Sequence, residues 1–302
     1  MGVRFGRVLA ALLIACAAVA GAANPPGPSA SAAATALESE QERAEAAVRA
    51  AHKPGPADIA LRDQGTLHLL KGYVWIPVPA ATQLMRVMGN SPGPGFMGLI
   101  VPDNDDDWMA TVTFINEGYI KDDDARDWNA DELLQSLKEG TEEGNKERAR
   151  RGIAPIEVIG WAQPPKYDTA THRLVWAATL RDKGAADTKD QGVNYNTYAL
   201  GREGYISLNL VTNASELEKY KPEAMTLLAA LQYGEGKRYA DFNGSTDKVA
   251  AYGLAALVAG AAAKKLGLLA VVLAALAKFG KLLIVAAAGA LWGVRKFFKR
   301  KE

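Results

Sequence analysis

Two short acidic segments are the residues whose types and spacing come nearest to a binding site. Asp103–Asp107 holds four carboxylates and one asparagine, and Lys121–Asp127 holds four more carboxylates. Hard cations such as Ca²⁺ take about six to eight oxygen ligands, and carboxylates at alternate positions suit them. A hairpin that turns at Asn116–Gly118 would pair the flanking strands and bring the inner ends of the two segments together.

The spacing within the first acidic segment does not fit a calcium loop. An EF-hand that starts at Asp103 places Trp108 where glycine is required and Phe114 where the bidentate glutamate is required. Charged residues at the edge of a sheet also keep that edge solvated. We therefore interpret both segments as a solvated acidic rim, and we predict no metal-binding residues.

Asn194, Tyr195 and Asn196 form a second group with binding potential. In an extended strand, Asn194 and Asn196 lie on one face and Tyr195 lies on the other. Asparagine is depleted in strands, so two on one face of a strand need a reason. Two interpretations stay open at this point: a surface for a ligand or partner, and an ordinary exposed sheet face.

The sequence offers few candidate residues for catalysis or for a cofactor. The three histidines, His52, His68 and His172, have no pairwise spacing typical of metal ligands. The segment Gly234–Lys237 resembles the end of a P-loop, but Leu231 stands where its first glycine is required. Paired carboxylates occur in solvated runs, where a raised pKa is not expected. We predict no catalytic residue, no cofactor and no cofactor-binding residue.

The order of strands and turns places these residues in an α+β domain. Short strands with period-two alternation follow one another across residues 58–248, and short turns rather than crossover helices connect them. Asn129 is predicted to begin a helix, with Glu132 in a capping box. Trp176 shares a strand face with Leu174, Ala178 and Leu180, whereas Arg173 and Thr179 lie on the other face, so Trp176 is predicted to lie in the core. The expected fold is one mainly antiparallel sheet with helices packed on it.

Residues 1–23 have the pattern of a secretory signal peptide. Two arginines precede an apolar run, and a small-residue cleavage site ends it at Ala22. The alternative is a lipoprotein signal in which Leu13–Cys16 is a lipobox and Cys16 carries lipid. Cys16 is the one cysteine of the chain, so cleavage after Ala22 leaves a mature protein without a thiol or a disulfide.

Residues 24–57 are predicted to be a linker followed by a solvated helix. Residues 24–36 are rich in proline, serine and alanine, a composition that cannot bury a core. Leu37–Ala51 carries interspersed glutamate and arginine, and the prolines of Lys53–Pro56 end the helix. The folded domain is predicted to begin at Asp58.

A long apolar stretch, residues 249–294, follows the domain. Four lysines interrupt 46 residues that are otherwise apolar or glycine, which is too long and too apolar for a core helix. The lysines leave runs of 15, 12 and 13 residues, each shorter than the roughly 20 that a helix needs to cross a bilayer. We predict one transmembrane helical anchor that tolerates lysines, spanning 266–294 or 249–270, with an interfacial helical hairpin as the alternative.

Charge is segregated along the chain, although the overall net charge is +1. Residues 24–248 carry a net charge of −9, whereas residues 249–302 carry +8, with five basic residues in Arg295–Lys301. Basic residues stay on the cytoplasmic side of a membrane and attract anionic lipid. An acidic domain is a poor partner for nucleic acid. We therefore expect the tail inside the cell and the acidic domain on the other side of the membrane.

Three segments carry a resemblance to a known family. They are Gly118–Ala125, Gly192–Thr197 and Glu235–Asn243, the last of which continues through Ser245–Gly253 into the apolar stretch. On these segments the chain resembles the DUF2167 family, bacterial membrane-anchored proteins of uncharacterised function. The resemblance implies an envelope location and an anchored architecture, and it implies no activity because the family has none assigned. A fold-level analogy with exported PsbP-like sheet domains accompanies it.

Together these features predict a bacterial inner-membrane protein with five parts. They are a signal peptide (1–23), a linker and solvated helix (24–57), a periplasmic α+β domain (58–248), a membrane anchor (249–294) and a basic cytoplasmic tail (295–302). The expected partners are the inner membrane through the anchor, anionic lipid at the tail and an envelope protein, but no nucleic acid. The favoured function is non-catalytic binding of another envelope component. The alternatives are a cation- or small-ligand-sensing periplasmic domain and a periplasmic hydrolase.

Overall fold

The computed structural model describes residues 30–126, 128–150, 152–185 and 191–259. The predicted signal peptide with Cys16, the predicted anchor from residue 260 onward and the basic tail lie outside these residues. Within the described ranges, no helix combines the length and the apolar composition that a membrane crossing requires.

The described residues form five α-helices. They are α1 (Ala30–Ala51), α2 (Ala80–Val87), α3 (Ala130–Arg150), α4 (Leu217–Ala229) and α5 (Ala255–Ala259). Asn129 begins α3 as predicted, because its Oδ1 accepts hydrogen bonds from the backbone N–H groups of Asp131 at 2.9 Å and Glu132 at 3.3 Å.

Eleven strands lie in the described part of the chain. They are β1 (Lys53–Pro54), β2 (Ala57–Leu61), β3 (Gly65–Leu69), β4 (Tyr73–Pro77), β5 (Phe96–Pro102), β6 (Met109–Ile115), β7 (Ile156–Asp168), β8 (Arg173–Asp182), β9 (Gly192–Leu200), β10 (Tyr205–Asn213) and β11 (Leu231–Tyr233). The large sheet has the order β1-β4-β5-β6-β10-β9-β8-β7, and the small sheet has the order β11-β3-β2. All paired strands are antiparallel. The predicted α+β class is confirmed, but the predicted single sheet is in fact two.

Alternation along the strands buries apolar side chains on both faces of the large sheet. One face packs against α4 and the small sheet, and we call this layer the α4 core; it includes Trp75, Val112, Tyr195, Leu208, Tyr220 and Leu227. The opposite face carries two clusters. The α3 cluster includes Leu133, Trp176, Tyr198, Tyr205, Leu254 and Val258. The α2 cluster includes Val48, Ile76, Leu84, Leu99 and Met109. The prediction that Trp176 is a core residue is confirmed.

The N-terminal boundary of the folded part differs from the expectation. Helix α1 is not a solvated helix, because Ala44 and Val48 are buried and Val48 packs in the α2 cluster. Lys53 and Pro54 pair with β4 as an edge of the large sheet. The packed chain therefore begins before residue 58, because the alanine-rich side of α1 supplies a narrow apolar face that its charges conceal.

Candidate functional site

Alternation along β9 places Asn194 and Asn196 on the same face of the large sheet, as expected for a strand. Tyr198 of the same strand faces this side and belongs to the α3 cluster, whereas Val193 and Tyr195 belong to the α4 core. The two asparagines therefore lie on the face that carries the α2 and α3 clusters.

The strand register brings further polar side chains beside them. Asn196 lies opposite Asn209 of β10 on one side and opposite Trp176 of β8 on the other. Asn209 lies opposite Thr111 of β6, and the next pair on the same face is Ser207 with Thr113. We call this set the polar strip; its members are Thr111, Thr113, Asn194, Asn196, Ser207 and Asn209.

The polar strip separates the two apolar clusters. On β10, Tyr205 at one end belongs to the α3 cluster and Val211 at the other end packs against the α2 cluster. On β6, Ile115 packs against the α3 cluster and Met109 belongs to the α2 cluster. A sheet face that is covered at both ends would ordinarily be apolar in the middle as well. Here the central strands present hydroxyl and amide groups instead, so the polar strip interrupts the core.

Two buried polar atoms beside Asn196 have no hydrogen-bond partner among the described residues. They are Oδ1 of Asn209, an acceptor, and Nε1 of Trp176, a donor. Asn196 itself is 8% exposed, donates from Nδ2 to the Asn194 carbonyl at 3.0 Å and accepts from the Tyr198 hydroxyl at 3.4 Å. An unpaired buried group of this kind costs about 1–3 kcal/mol. A donor and an acceptor thus stand unpaired on either side of one asparagine.

The polar strip is electrically neutral. Its six side chains are hydroxyls and carboxamides, and the neighbouring Tyr198 also stays neutral because burial raises its pKa. Such groups recognise other neutral polar groups by hydrogen bonding. They supply neither a general base near neutral pH nor the negative ligands that hard cations prefer. The arrangement can bind a partner or ligand.

A second region, which we call the junction, consists of residues 118–124 and 239–255. Tyr119 stacks on both Tyr239 and Phe242, with ring centroids 4.4 and 3.8 Å apart, and His172 stacks on Tyr239 at 4.1 Å. The Tyr119 N–H donates to the Lys248 carbonyl, and the Ala250 N–H donates to the Tyr119 carbonyl, both at 2.8 Å. Two of the three segments that carried the family resemblance thus pack against each other.

Charged side chains add hydrogen bonds and an ion pair to the junction. The Asp124 carboxylate accepts from the backbone N–H groups of Leu254 and Ala255, both at 3.0 Å, where α5 begins. Arg202 donates to both carboxylate oxygens of Asp247, at 2.6 and 2.8 Å, and this pairing holds the pKa of Asp247 well below its usual range. Gly253 fits tightly, because a Cβ there would lie 2.3 Å from Oδ2 of Asp124. The junction includes residues 249–255, so the beginning of the long apolar stretch packs against the domain.

The hydrogen bonds of Tyr167, Asp122 and His172 extend the junction to the turn between β7 and β8. The Tyr167 hydroxyl donates to Oδ2 of Asp122 at 2.7 Å and lies 3.1 Å from Nδ1 of His172. Burial, together with Asp122, raises the pKa of Tyr167, so its hydroxyl stays protonated at neutral pH. These three groups form a structural link rather than an activated acid–base pair. Beside them, an open groove of about 590 Å³ is lined by Lys121, Asp123, Asp124 and residues 249–253.

The two acidic segments do not come together. Asp103–Asp107 precedes β6 and residues 121–126 follow it, so they lie at opposite ends of that strand. The predicted hairpin at Asn116–Gly118 is wrong, because β6 pairs with β5 and β10 and the chain after it bridges to Val249. Asp106 instead pairs with Lys219 at 2.7 Å, which lowers the pKa of Asp106. Among the described residues, no group of three or more His, Cys, Asp or Glu side chains is arranged to hold a metal ion.

The histidines and the P-loop-like segment lie apart from one another. His68 contacts Asp58 at 2.6 Å, and Nδ1 of His52 contacts the Arg49 carbonyl at 2.9 Å. Lys237, the lysine of the P-loop-like segment, pairs with Asp63 at 2.8 Å and with Glu203 at 2.9 Å. Its charge is therefore matched by carboxylates within the fold.

Sequence reasoning missed one motif and several members of the polar strip. Gly89–Gly93 reads Gly-Asn-Ser-Pro-Gly, the spacing of a nucleophile elbow. It follows helix α2 and precedes strand β5, whereas an elbow joins a strand to a following helix, so it lacks the required context. The alternation of Thr111, Thr113, Ser207 and Asn209 with apolar residues was visible in the sequence. Only the strand register places them beside Asn196.

Comparison with known proteins gives a family and a distant structural likeness. The solution structure of cyanobacterial PsbP (CyanoP) from Synechocystis sp. PCC 6803 is similar with a TM-score of 0.36 and 12% identity, over 61% of this chain and 91% of that chain. No curated protein matches the sequence significantly. Residues 53–288 match the family described as a protein of unknown function, DUF2167. The match covers most of the chain and confirms the resemblance, and the protein therefore belongs to the DUF2167 family.

Proposed function

We propose that this protein is a non-catalytic, membrane-anchored envelope protein whose acidic periplasmic domain binds another envelope component through the polar strip. The observation that carries the proposal is the strip itself, six neutral polar side chains on three central strands between two apolar clusters. Oδ1 of Asn209 and Nε1 of Trp176 are buried beside Asn196 without a hydrogen-bond partner among the described residues, so the unbound strip is left with unsatisfied polar groups.

Two features of the sequence support the envelope location. The N-terminal signal pattern favours export, and the apolar stretch from residue 249 favours an anchor in the inner membrane. The net charge of −9 over residues 24–248 disfavours nucleic acid, and the basic tail favours contact with anionic lipid on the cytoplasmic side. Leu254, Leu257 and Val258 pack in the α3 cluster, so an anchor that continues from them would hold the domain close to the bilayer.

The binding surface is tested by photo-crosslinking in cells. A photoreactive amino acid placed at Thr113 or Ser207 of the full chain should give an adduct with one envelope component. The same group at the exposed Lys166 of β7 is the control and should not give that adduct. The same adduct pattern from all three positions, or no adduct from the strip, would contradict binding through the strip.

The topology is tested by reporters fused after Glu302. A single crossing puts the tail in the cytoplasm, so green fluorescent protein should fluoresce and alkaline phosphatase should be inactive. Active phosphatase at that position would exclude the single crossing. It would favour instead a helical hairpin that returns the tail to the periplasm.

A further inference from the structure

The edges of the two sheets differ in how well they are protected against pairing. The edge strand β7 contains Pro164 and Pro165, and its pairing with β8 shifts register at several points. The edge strand β1 has two residues, one of them proline. Prolines, irregular register and short length are the features that keep a sheet edge from accepting another strand. The small sheet has two edges, β11 and β2. Strand β11 has three residues, whereas β2 has five residues without proline and pairs with β3 without a register shift.

The outward side of β2 carries backbone groups that are free to pair. The N–H of His68 in β3 donates to the Ala230 carbonyl at 2.9 Å, so this position of β3 bonds away from β2. The direction of backbone hydrogen bonds alternates along an antiparallel strand. The N–H and C=O groups of Ala57, Ile59 and Leu61 therefore bond to β3, while those of Asp58 and Ala60 point away from it. The described residues supply no backbone partner for Asp58 or Ala60. The edge therefore offers two N–H and two carbonyl groups at the spacing of a strand.

An apolar groove runs beside this edge. Its volume is about 380 Å³, and its floor is formed by Ile59 of β2 with Trp75 and Met97 of the large sheet. Val78, at its border, is 46% exposed, unlike most large apolar residues of the domain. The side chain of a strand residue placed opposite Ile59 would point to the same side as Ile59, because facing residues of paired strands share a face. A strand added to β2 would thus place one side chain over Trp75 and Met97.

Two cations lie at the border of the groove. Lys53 forms no ion pair among the described residues, and Arg62 is held in place by hydrogen bonds from its guanidinium to the carbonyls of Pro94 at 2.6 Å and Phe96 at 3.2 Å. The one carboxylate there, Asp58, is bonded to His68. This is a locally basic surface on an acidic domain, and it favours a partner that carries a carboxylate.

We propose that β2 accepts an extended, carboxylate-bearing peptide segment of a partner protein as a fourth strand of the small sheet. The peptide pairs with the backbone of Asp58 and Ala60, places one large apolar side chain over Trp75 and Met97, and sets its carboxylate near Lys53 and Arg62. Backbone pairing supplies affinity, and the groove supplies selectivity for the apolar residue. This surface is separate from the polar strip, so the inference does not depend on what the strip binds.

The test is a selection from a displayed library of random nonapeptides against the full chain in detergent. Selected peptides should share an extended pattern with one large apolar residue and an acidic residue or a free C-terminal carboxylate. Hydrogen exchange of the full chain should then slow at residues 57–61 when a selected peptide is added, because free edge amides become bonded. A second chain that pairs through the same edge would instead slow exchange with protein concentration, without any peptide, and would overturn the proposal.

Matched variants separate strand addition from other modes of binding. Ala60→Pro removes an outward N–H, whereas Ala60→Thr keeps it on the same exposed position. We expect Ala60→Pro to weaken binding of a selected peptide at least about tenfold and Ala60→Thr to leave it nearly unchanged. Lys53→Glu leaves β2 intact. It should weaken the binding of acidic peptides and leave the binding of neutral peptides unchanged. Unchanged peptide binding in a folded Ala60→Pro variant, or in Lys53→Glu, would contradict the proposal. Asn209→Leu should not affect this binding even if it abolishes the function of the polar strip.

Discussion

The polar strip and the junction both place polar side chains inside the packed domain, but only the junction pairs those side chains within the chain. At the junction, the carboxylates of Asp124 and Asp247 and the hydroxyl of Tyr239 all have partners within the chain. In and beside the polar strip, Asn209 and Trp176 each leave a buried polar atom unpaired. Paired polar groups stabilise a fold and specify it, whereas unpaired ones destabilise it unless something else binds them.

This difference assigns separate roles to the segments that carry the family resemblance. Gly118–Ala125 and the segment from Glu235 onward pack against each other at the junction, so their composition is explained by holding the chain in place. Gly192–Thr197 contributes Asn194 and Asn196 to the polar strip, which the fold alone does not explain. A motif that identifies a family can therefore be structural in one part and a candidate for function in another.

The largest expected effect is at the border between the polar strip and the α3 cluster. Trp176→Ala should lower the free energy of unfolding by about 3–5 kcal/mol, because it removes a large aromatic side chain that is 8% exposed. Urea unfolding of the variant and the wild type measures the change. Trp176→Phe keeps a ring and removes the unpaired indole N–H, so it should cost much less. A loss below about 1 kcal/mol for the alanine variant would show that this face of the sheet is not a core.

The next comparison uses two asparagines that differ in pairing. Asn145 of α3 is 7% exposed, accepts from the Ile156 N–H at 2.9 Å and donates to the Ile156 carbonyl at 2.8 Å. Asn145→Leu should destabilise by about 1–3 kcal/mol because it leaves both backbone groups unpaired. Asn209→Leu should be neutral or slightly stabilising, because it removes an unpaired buried oxygen, and it should abolish crosslinking through the polar strip. Equal destabilisation by the two variants would show that Asn209 is paired in the folded protein.

A smaller effect is expected at the start of α5. Asp124→Ala should lower the free energy of unfolding by about 1 kcal/mol, because it removes the acceptor of two backbone N–H groups where α5 begins. Asp124→Asn keeps an acceptor oxygen and should retain much of that stability. Hydrogen exchange at residues 254–259 measures the effect locally and should rise in the alanine variant alone. Unchanged exchange in the alanine variant would mean that packing of Leu254 and Leu257, not the carboxylate, holds α5.

Much of the fold follows from local patterns, whereas the polar strip and the junction depend on distant contacts. Period-two alternation is a local property, so strands β6, β8, β9 and β10 were predicted correctly, together with the buried faces of β6, β8 and β10. Strand β5 was missed because Phe96–Pro102 is buried on both faces and has no alternation to detect. The pairing of Asn196 with Asn209 requires the register of two strands. The stacking of Tyr119 on Tyr239 joins residues 120 positions apart, which no local pattern reveals.

The smallest expected effect is a pH dependence that belongs to the junction and not to the polar strip. Arg202 lowers the pKa of Asp247 in the folded protein below 3.8, the ordinary value for an aspartate side chain. The contribution of Asp247 to stability is therefore complete above about pH 4 and is lost as the pH falls toward the lower, folded-state pKa.

Urea unfolding midpoints from pH 7 to pH 2 measure this for the wild type and Asp247→Asn. The difference between the two should be present at pH 7 and shrink below about pH 4, because the asparagine cannot titrate. Asp105→Asn, at an exposed carboxylate with no ion pair among the described residues, is the control. A difference between the wild type and Asp247→Asn that stays constant across this range would mean that the hydrogen bonds of Asp247, and not its charge, hold the junction.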